Sequence, residues 1–428
     1  MIRNQLMKLQ SEGRKIQLGL CGAGWIGSGF LKAVSLVPGM EVRILADPNP
    51  ALARQAFLSC GISSESIIET DTPGIAQDAI RQGKYVVSSS FLLPAQTAEI
   101  DLIVEASPSP GSGAEAAQGA ISQGKNIVMI NIEADVTVGR ILHHCARKNG
   151  VLYTVSSGDE PGCLMELYDF VTTLGYEPIA IGKGKNNPLD LAATPDTVAE
   201  SARKSNKDPY QVASYVDGTK TMFEMACVAN ALGFVPIRQG MVGPEADLAT
   251  VSQVFALHED GGISPHPGIV DFVQGPAMSG GVFITVRITD PRIREDLQYL
   301  KVGKGNYFTF FRPYHLWFLE APLSVARAYL YREPTLQPLP RAITEVVTIA
   351  KKNLANGETL DTFGGYTFSG MIDRAEKALA SNALPVGLAP GAVLKKVVNK
   401  GELITWDDVI LAEDSTVVKL RREQDALL

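Results

Sequence analysis

Short apolar runs alternate with amphipathic stretches over the first 160 residues of this 428-residue chain. The apolar runs predict buried β-strands at residues 16–21, 42–46, 102–106, 127–131 and 152–155. Helical periodicity fills several of the gaps, at residues 27–37, 113–123 and 136–149. Short strands that alternate with helices are typical of βαβ units, so this half of the chain predicts a parallel α/β sheet.

The alternation stops near Val155, and the rest of the chain has a mixed pattern. It predicts a helix over 163–174, an apolar helix over 221–232, strands from about 251 that include 281–289, and aromatic residues followed by a helix over 312–330. A polar helix at 372–380 leads into a short β-rich tail punctuated by Gly and Pro. This part therefore predicts an α+β region followed by a small β-rich module.

These patterns predict an α/β protein of four segments. They are an N-terminal arm (1–14), a parallel-sheet domain (15–160), an α+β substrate and catalytic domain (161–382) and a β-rich module (383–428).

Composition narrows the class of partner. The chain is 45% hydrophobic, 20% charged and carries a net charge of −7, so it has little to attract nucleic acid or an anionic membrane. We find no apolar segment long enough to span a bilayer, and residues 1–10 lack the apolar core of a signal peptide. The five cysteines are scattered without C-x-x-C spacing, which is typical of reduced thiols. We expect a cytoplasmic protein that binds a small molecule.

A glycine-rich turn follows the first predicted strand. In "LGLCGAGWIGSG", Gly22, Gly24 and Gly27 give the G-x-G-x-x-G spacing, and Asp47 ends the second strand 20 residues after Gly27. The glycines allow a tight turn, close approach of the backbone to a pyrophosphate and packing of the helix on the strand. The free amides at the helix start then hold the phosphates, so the sequence predicts a dinucleotide site.

Further residues of the predicted cofactor site flank this turn. Trp25 and Ile26 lie inside it, and Trp25 is predicted either to pack against the protein or to cover the edge of the cofactor. Asp47 favours NAD, because a carboxylate binds ribose hydroxyls and repels a 2′-phosphate. Arg54 lies on the next predicted helix, from which its guanidinium could reach such a phosphate. We therefore leave the cofactor as NAD(P).

Two more strand ends add polar residues to the same edge of the sheet. Ala106 and Ser107 lie in the segment "EASPSPGSG" (105–113) and are expected to face the nicotinamide ribose. Asn131 is predicted to contact the cofactor and Glu133 the substrate, because both follow the next strand at the carboxyl edge, where ligands bind. Asp135 is interpreted as the cap of the following helix.

The segments "GLCGAGWIGSG", "IDLIVEASPSP" and "NIVMINIEAD" resemble the NAD-binding, Rossmann-type half of homoserine dehydrogenases. The tail "GAVLKKVVNKGELITWDDV" is similar to the SAF module, a small β-clip fold. From about residue 15 to 420 the chain resembles oxidoreductases that carry a C-terminal SAF module, among them 1-deoxy-D-xylulose 5-phosphate reductoisomerase-like enzymes. That resemblance implies NADPH-dependent reduction and rearrangement of a ketose phosphate.

One departure from the family pattern concerns the segment at the end of the predicted strand 127–131. Homoserine dehydrogenases have a Lys there in a T-x-N-K-like segment, whereas this chain has Asn131, Ile132 and Glu133. This difference argues against simple homoserine oxidation.

The predicted catalytic residues lie in "YVDGTKTMFEMACVANALG". Asp217, Lys220 and Glu224 share one helical face, surrounded by apolar positions. A buried Glu must be paired with a cation or take part in the chemistry. We predict that Lys220 polarises or protonates the substrate oxygen, with Asp217 and Glu224 tuning it. A structural Lys–Glu pair with a capping Asp is the alternative.

Other charged residues are candidates for substrate binding. Lys183 and Lys185, in "GKGKNNPLD", suit a phosphate or carboxylate, although a solvated loop is an equal alternative. Arg312 and His315 lie in an aromatic-rich segment, and a His beside aromatic residues is often only a core residue.

Asp159 and Glu160, in "SSGDEPG", are predicted to bind substrate hydroxyls or a divalent cation. The cation is implied only by the resemblance, since reductoisomerases use a metal to hold adjacent oxygens of the substrate. The sequence shows no metal-ligand spacing, and the ligands stay unknown.

Together these observations predict an NAD(P)-dependent oxidoreductase that acts on a small polyhydroxylated, phosphorylated carbonyl compound, and that forms a homo-oligomer. A reductoisomerase is the sharpest version of this hypothesis. A simple dehydrogenase of a sugar acid, amino acid or hydroxy acid is an alternative. A non-catalytic, cofactor-dependent binding protein is another.

Overall fold

A computed structural model describes residues 1–427 of the chain. The residues fall into two units: unit one comprises Met1–Gly162, Leu316–Pro340 and the chain from Asp414 onward, and unit two comprises Cys163–His315 and Arg341–Glu413.

The elements up to residue 173 alternate regularly between strand and helix. In chain order they are α1 (Ile2–Ser11), β1 (Ile16–Cys21), α2 (Trp25–Val34), β2 (Met40–Ala46), α3 (Pro50–Ser59), β3 (Ile67–Glu69), α4 (Pro73–Arg81), β4 (Tyr85–Ser88), α5 (Leu93–Gln96), β5 (Leu102–Glu105), α6 (Pro110–Ser122), β6 (Asn126–Met129), α7 (Ile132–Lys148), β7 (Tyr153–Val155) and α8 (Glu160–Thr173).

The elements after residue 173 follow no such alternation. They are β8 (Glu177–Gly184), α9 (Ala199–Ser205), α10 (Pro209–Val216), α11 (Thr219–Leu232), α12 (Val251–Val254), β9 (Ile269–Val273), β10 (Val282–Arg287), α13 (Pro291–Tyr299), β11 (Tyr307–Arg312), α14 (Ala321–Tyr331), β12 (Thr344–Ala350), β13 (Phe368–Arg374), α15 (Ala375–Ala380), β14 (Val393–Leu394), β15 (Val409–Ile410) and α16 (Thr416–Leu427).

Unit one is built on a seven-stranded sheet in the order β3-β4-β2-β1-β5-β6-β7, with every neighbouring pair parallel. Its central strands are apolar and fully buried, with Leu18, Leu20 and Val104 each 0% exposed. Such continuous apolar strands are expected where helices cover both faces of a parallel sheet. The predicted Rossmann-type sheet is confirmed.

Two late segments of the chain complete unit one. Helix α14 packs on the core that α2 and β1 share, through Val325 and Ala326. Helix α16 packs on α7, where the Gln424 side chain accepts a hydrogen bond from the amide of Ile141 at 3.0 Å.

Unit two contains a mixed four-stranded sheet in the order β11-β10-β8-β9, in which only β8 and β9 are parallel. A hairpin of β12 and β13 and the short pair β14–β15 follow. The predicted α+β second region and the small β-rich tail are therefore confirmed as fold features.

Three secondary-structure predictions need correction. Strands β3 and β4 were missed by the sequence pattern. The chain at Val251 forms a short helix, and the strands of that region begin only at Ile269. The predicted polar helix begins at Ala375, because Ile372 lies in β13, paired with Val346 of β12.

Within residues 1–427, no helix combines the length and the apolar character that crossing a membrane requires.

Candidate functional site

The glycine-rich turn between β1 and α2 has the geometry that its spacing predicts. Gly22 has a φ of +100°, and a Cβ there would lie 2.8 Å from the backbone of Ala106. A Cβ on Gly27 would lie 1.9 Å from the carbonyl oxygen of Gly22. A Cβ on Gly24, by contrast, would have no neighbouring atom within 4 Å. Two glycines are thus required by packing, and the third leaves open space over the start of α2.

Asp47, at the end of β2, accepts hydrogen bonds that hold this turn in place. Its Oδ2 accepts a hydrogen bond from the amide of Ala23 at 2.8 Å, and its Oδ1 accepts one from the amide of Asn49 at 2.9 Å. The carboxylate is half-buried beside the glycines. This placement suits the predicted contact with an adenosine ribose.

An aromatic cluster lies beside the turn. Trp25 is 49% exposed, and its ring makes edge contacts with Trp317 and Phe318 at centroid distances of 4.9 and 6.0 Å. Ile26 is half-buried in the same turn. Trp317 and Phe318 were not predicted, because they are brought to the turn by a segment nearly 300 residues downstream.

The loop after β5 is held firmly in place. The amide of Ala106 donates to the carbonyl oxygen of Cys21 at 2.8 Å, and the amide of Ser107 donates to the Oε1 of Glu105 at 2.8 Å. Both loop residues are buried. Their backbone is thereby fixed next to Gly22.

Asn131 joins this loop to α7. Its Nδ2 donates to the carbonyl oxygen of Ser109 at 2.9 Å, and its Oδ1 accepts from the amide of Ala134 at 2.9 Å. Asn131 therefore caps α7, and the interpretation of Asp135 as the cap was wrong. Asp135 lies inside the helix and accepts a hydrogen bond from the hydroxyl of Tyr153 at 2.8 Å.

Glu105 is a buried acid that the sequence did not single out. It is 0% exposed at the end of β5. Burial raises its pKa to about 8, although the hydrogen bond from Ser107 and the nearby amide of Asn131 oppose the shift. Glu133, in the first turn of α7, is half-buried and raises that pKa further.

The segment "SSGDEPG" ends the sheet of unit one and begins α8. Gly158 has a φ of +101° and accepts a hydrogen bond from the amide of Trp317 at 2.6 Å. The amide of Ser157 donates to the hydroxyl of Ser324 at 2.7 Å. Asp159 is half-buried and Glu160 is buried at the start of α8.

Unit two contains two buried ion pairs around α11. Glu224 on this helix pairs with Lys183 of β8, and Asp217, just before the helix, pairs with Lys351 at 2.6 Å. Lys351 was not predicted. The two carboxylates that we expected to tune Lys220 thus have ion-pair partners on other elements. Lys220 itself is half-buried in the first turn of α11.

Lys185 lies close to these pairs and is 5% exposed. Its Nζ donates to the carbonyl oxygen of Tyr215 at 2.7 Å. Burial, followed by repulsion from Lys183, lowers the pKa of Lys185 to about 8. An amine with that pKa exchanges protons readily near neutral pH.

Lys185 also lines an open cleft of about 820 Å³ in unit two. The loop after β8 contributes Asn186 and Asn187, and the loop after β9 contributes Gln274 and Ser279. Glu245 and Asp247 line it as well. Amides, hydroxyls and carboxylates of this kind can bind the hydroxyl groups of a small polar ligand.

Arg312 and His315 lie in and after β11. The Nη1 of Arg312 contacts Glu166 at 3.1 Å and the sulfur of Cys163 at 3.0 Å. The Nδ1 of His315 is 2.9 Å from the carbonyl oxygen of Gly280. Part of the charge of Arg312 is thus offset by Glu166.

Unit one therefore has the form of a dinucleotide-binding domain, and unit two holds buried ionisable groups beside a polar cleft. Residues 158–321 match the family model described as "Oxidoreductase DRL, catalytic domain". This match supports the prediction of an oxidoreductase. No curated protein matches the sequence.

Several solved structures are similar in fold. A probable dehydrogenase from Thermotoga maritima is 12% identical, with a TM-score of 0.42, over 74% of this chain and 90% of that one. GenD2 from gentamicin A biosynthesis, in complex with NAD, is 13% identical, with a TM-score of 0.38, over 75% and 88%. The WlbA dehydrogenase from Bordetella pertussis, in complex with NADH and UDP-GlcNAcA, is 16% identical, with a TM-score of 0.33, over 64% of each chain. These similarities are too distant to identify what this chain binds.

Proposed function

We propose that this protein is an NAD(P)-dependent oxidoreductase that acts on a small polyhydroxylated carbonyl compound. The observation that carries the proposal is the turn at Gly22–Gly27. It combines two glycines that packing requires with one, Gly24, whose surroundings are open. A turn that served packing alone would not need the third glycine, whereas a bound pyrophosphate would.

Ionisable groups of unit two supply the acid–base chemistry. Reduction of a carbonyl requires a proton donor for the oxygen that becomes a hydroxyl. Lys220 is our first candidate, and Lys185 is a second because burial lowers its pKa to about 8. Groups whose pKa is shifted in this way are common in active sites and also occur in structural ion pairs.

The lining of the cleft supports a polyhydroxylated substrate. Asn187, Gln274 and Ser279 can donate and accept hydrogen bonds, and Lys185 is a cation suited to one anionic group. Reduction with rearrangement, as in reductoisomerases, and simple dehydrogenation are both compatible with these groups. The divalent cation and the homo-oligomer stay predictions. Turnover before and after treatment with a chelator tests the cation.

The experiment that tests the proposal is a titration with NADH and with NADPH. Trp25 lies in the turn and is half-exposed, so binding there will change tryptophan fluorescence. A screen of ketose phosphates, sugar acids and hydroxy acids then follows oxidation or reduction of the nicotinamide by its absorbance. We expect saturable binding of at least one dinucleotide and turnover of a polyhydroxylated compound. Binding without turnover of any substrate class favours a cofactor-dependent binding protein, and failure of both dinucleotides to bind contradicts the proposal.

A further inference from the structure

A buried carboxyl group lies where the strand order of unit one reverses. Glu105 ends β5 and is paired in the sheet with Cys21, which ends β1. From β1 the chain proceeds to strands on one side of the sheet, and from β5 to strands on the other. Dinucleotides bind across the carboxyl ends of the strands at such a reversal. Glu105 therefore lies behind the loop that we expect to face the nicotinamide half of the cofactor.

The two oxygens of Glu105 have different surroundings. Oε1 accepts the hydrogen bond from the amide of Ser107, which fixes the loop. Oε2 is buried and accepts no hydrogen bond from residues 1–427. An ionised carboxylate is costly in this position, because Oε2 is buried without a hydrogen-bond donor among these residues.

Two ionisable groups that interact with Glu105, namely Glu133 and Cys21, are themselves acids. Glu133 on α7 disfavours its ionisation. Cys21 on β1 has a pKa raised by its own burial, by Glu105 and by Glu115 on α6. The hydrogen bond from Ser107 and the nearby amide of Asn131 favour the ionised form but only partly offset burial, and the pKa of Glu105 is about 8. Both protonation states are therefore accessible close to neutral pH.

We propose that Glu105 sets the relative affinity of the cofactor site for the oxidised and the reduced nicotinamide ring. The oxidised ring carries a positive charge and the reduced ring is neutral. If the ring binds at this edge of the sheet, a buried carboxylate close to it would attract the cation strongly when ionised and little when protonated. This inference rests on the proposed function, because it presupposes a nicotinamide cofactor.

The consequence is a dependence of cofactor preference on pH. If bound NAD⁺ favours the ionised form of Glu105, then raising the pH must strengthen NAD⁺ binding relative to NADH. Lowering the Glu105 pKa by one unit on binding corresponds to about a tenfold change in that ratio. The phosphates and the adenosine are common to both dinucleotides, so their contribution cancels.

The test is to measure the dissociation constants of NAD⁺ and NADH by calorimetry from about pH 6.5 to about pH 9.5, on either side of the Glu105 pKa of about 8. We expect the ratio Kd(NADH)/Kd(NAD⁺) to rise about tenfold across this range in the wild type. In Glu105→Gln, which keeps the shape of the protonated acid and an acceptor for the Ser107 amide, the ratio should stay constant.

Glu115→Gln is the matched control. It removes one carboxylate from the exposed face of α6 and should keep the wild-type rise. A constant ratio in the wild type, or an equal rise in Glu105→Gln, overturns the inference while leaving the proposed function intact. If the Gln variant does not fold, the pH dependence of Kd(NADH)/Kd(NAD⁺) in the wild type tests the inference by itself. Failure of both dinucleotides to bind at every pH instead contradicts the proposed function.

Discussion

Lys351 and Asp217 form an ion pair of 2.6 Å in the interior of unit two, where their side chains are 2% and 0% exposed. The Lys351 Nζ also donates to the carbonyl oxygens of Ala193 and Gly365, at 2.7 and 2.9 Å. Asp217 in turn accepts a hydrogen bond from the amide of Thr219 at 2.7 Å, at the start of α11. One ammonium group thus joins three segments of the chain to the helix that carries Lys220 and Glu224.

Removal of Lys351 should therefore destabilise the protein strongly. Lys351→Ala leaves Asp217 buried without its counter-ion, which we expect to reduce the free energy of unfolding by about 3–5 kcal/mol. Urea-induced unfolding, followed by circular dichroism, measures the loss.

The neighbouring Lys352 is the matched control. Its side chain is 50% exposed and pairs with Glu358 at 2.8 Å, so Lys352→Ala should cost no more than about 1 kcal/mol. Equal effects of the two substitutions would contradict the structural role of Lys351.

A methyl group at Gly24 should block the cofactor without disturbing the fold. Gly24 has φ −63° and ψ −166°, which alanine also adopts, and nothing lies within 4 Å of its would-be Cβ. If a pyrophosphate approaches this backbone, Gly24→Ala should raise the dissociation constant for NAD(H) by about tenfold or more, which is about 1.4 kcal/mol.

Gly74→Ala provides the comparison. This glycine is exposed in α4, and a Cβ there also meets nothing within 4 Å. We expect wild-type affinity for this variant and wild-type melting temperatures for both. Unchanged affinity in Gly24→Ala would argue that the cofactor does not lie over the turn.

The glycine-rich turn could be predicted from the sequence, whereas the ion pairs around α11 could not. The glycine turn and Asp47 lie within one βαβ unit, so local spacing alone indicated their arrangement. Asp217, Lys220 and Glu224 were also visible in the sequence as a charged group, although Asp217 precedes α11 and does not share its helical face. Their ion-pair partners were not, because Lys183 belongs to β8 and Lys351 follows β12, and a helical period carries no information about which strand packs on the helix.

Glu105 was missed for a related reason. It ends an apolar strand, where a single acid is typical of the beginning of a loop. Only the fold shows that its carboxyl group turns inward, to the amide of Ser107, and is fully buried. Trp317 is a further case, since the chain leaves unit one at Gly162 and returns to it only at Leu316.

The catalytic role predicted for Lys220 can be separated from cofactor binding. Lys220→Ala should lower turnover of the substrate found in the screen by about 10²–10⁴-fold, the usual contribution of a general acid. The dissociation constant of the Lys220→Ala variant for NAD(H) should equal that of the wild type. Lys204→Ala, which removes an exposed lysine paired with Glu200, should keep full turnover. Full activity in Lys220→Ala, combined with its loss in Lys185→Ala, would assign the proton donor to Lys185.

The lowered pKa of Lys185 predicts a dependence of stability on pH. The folded protein releases the proton of Lys185 at a pKa of about 8, whereas an unfolded lysine does so near 10.4. Between these values the unfolded chain binds more protons, so the contribution of Lys185 to the free energy of unfolding rises with pH. Below pH 8 its burial as a cation carries the full cost.

Lys185→Met removes this cost together with the charge. Its stability relative to the wild type should therefore be highest near pH 7 and should decline by roughly 2–3 kcal/mol towards pH 10.5. The hydrogen bond to the carbonyl of Tyr215 is lost at every pH, so it shifts the whole curve without changing its slope. Urea unfolding of both proteins across this range measures the difference.

Lys304→Met, at an exposed position, should give a flat profile, because an exposed ammonium is hydrated in both states. A flat profile for Lys185→Met as well would show that Lys185 keeps its proton in the folded protein, and would remove the physical reason for considering it as an acid in the reaction.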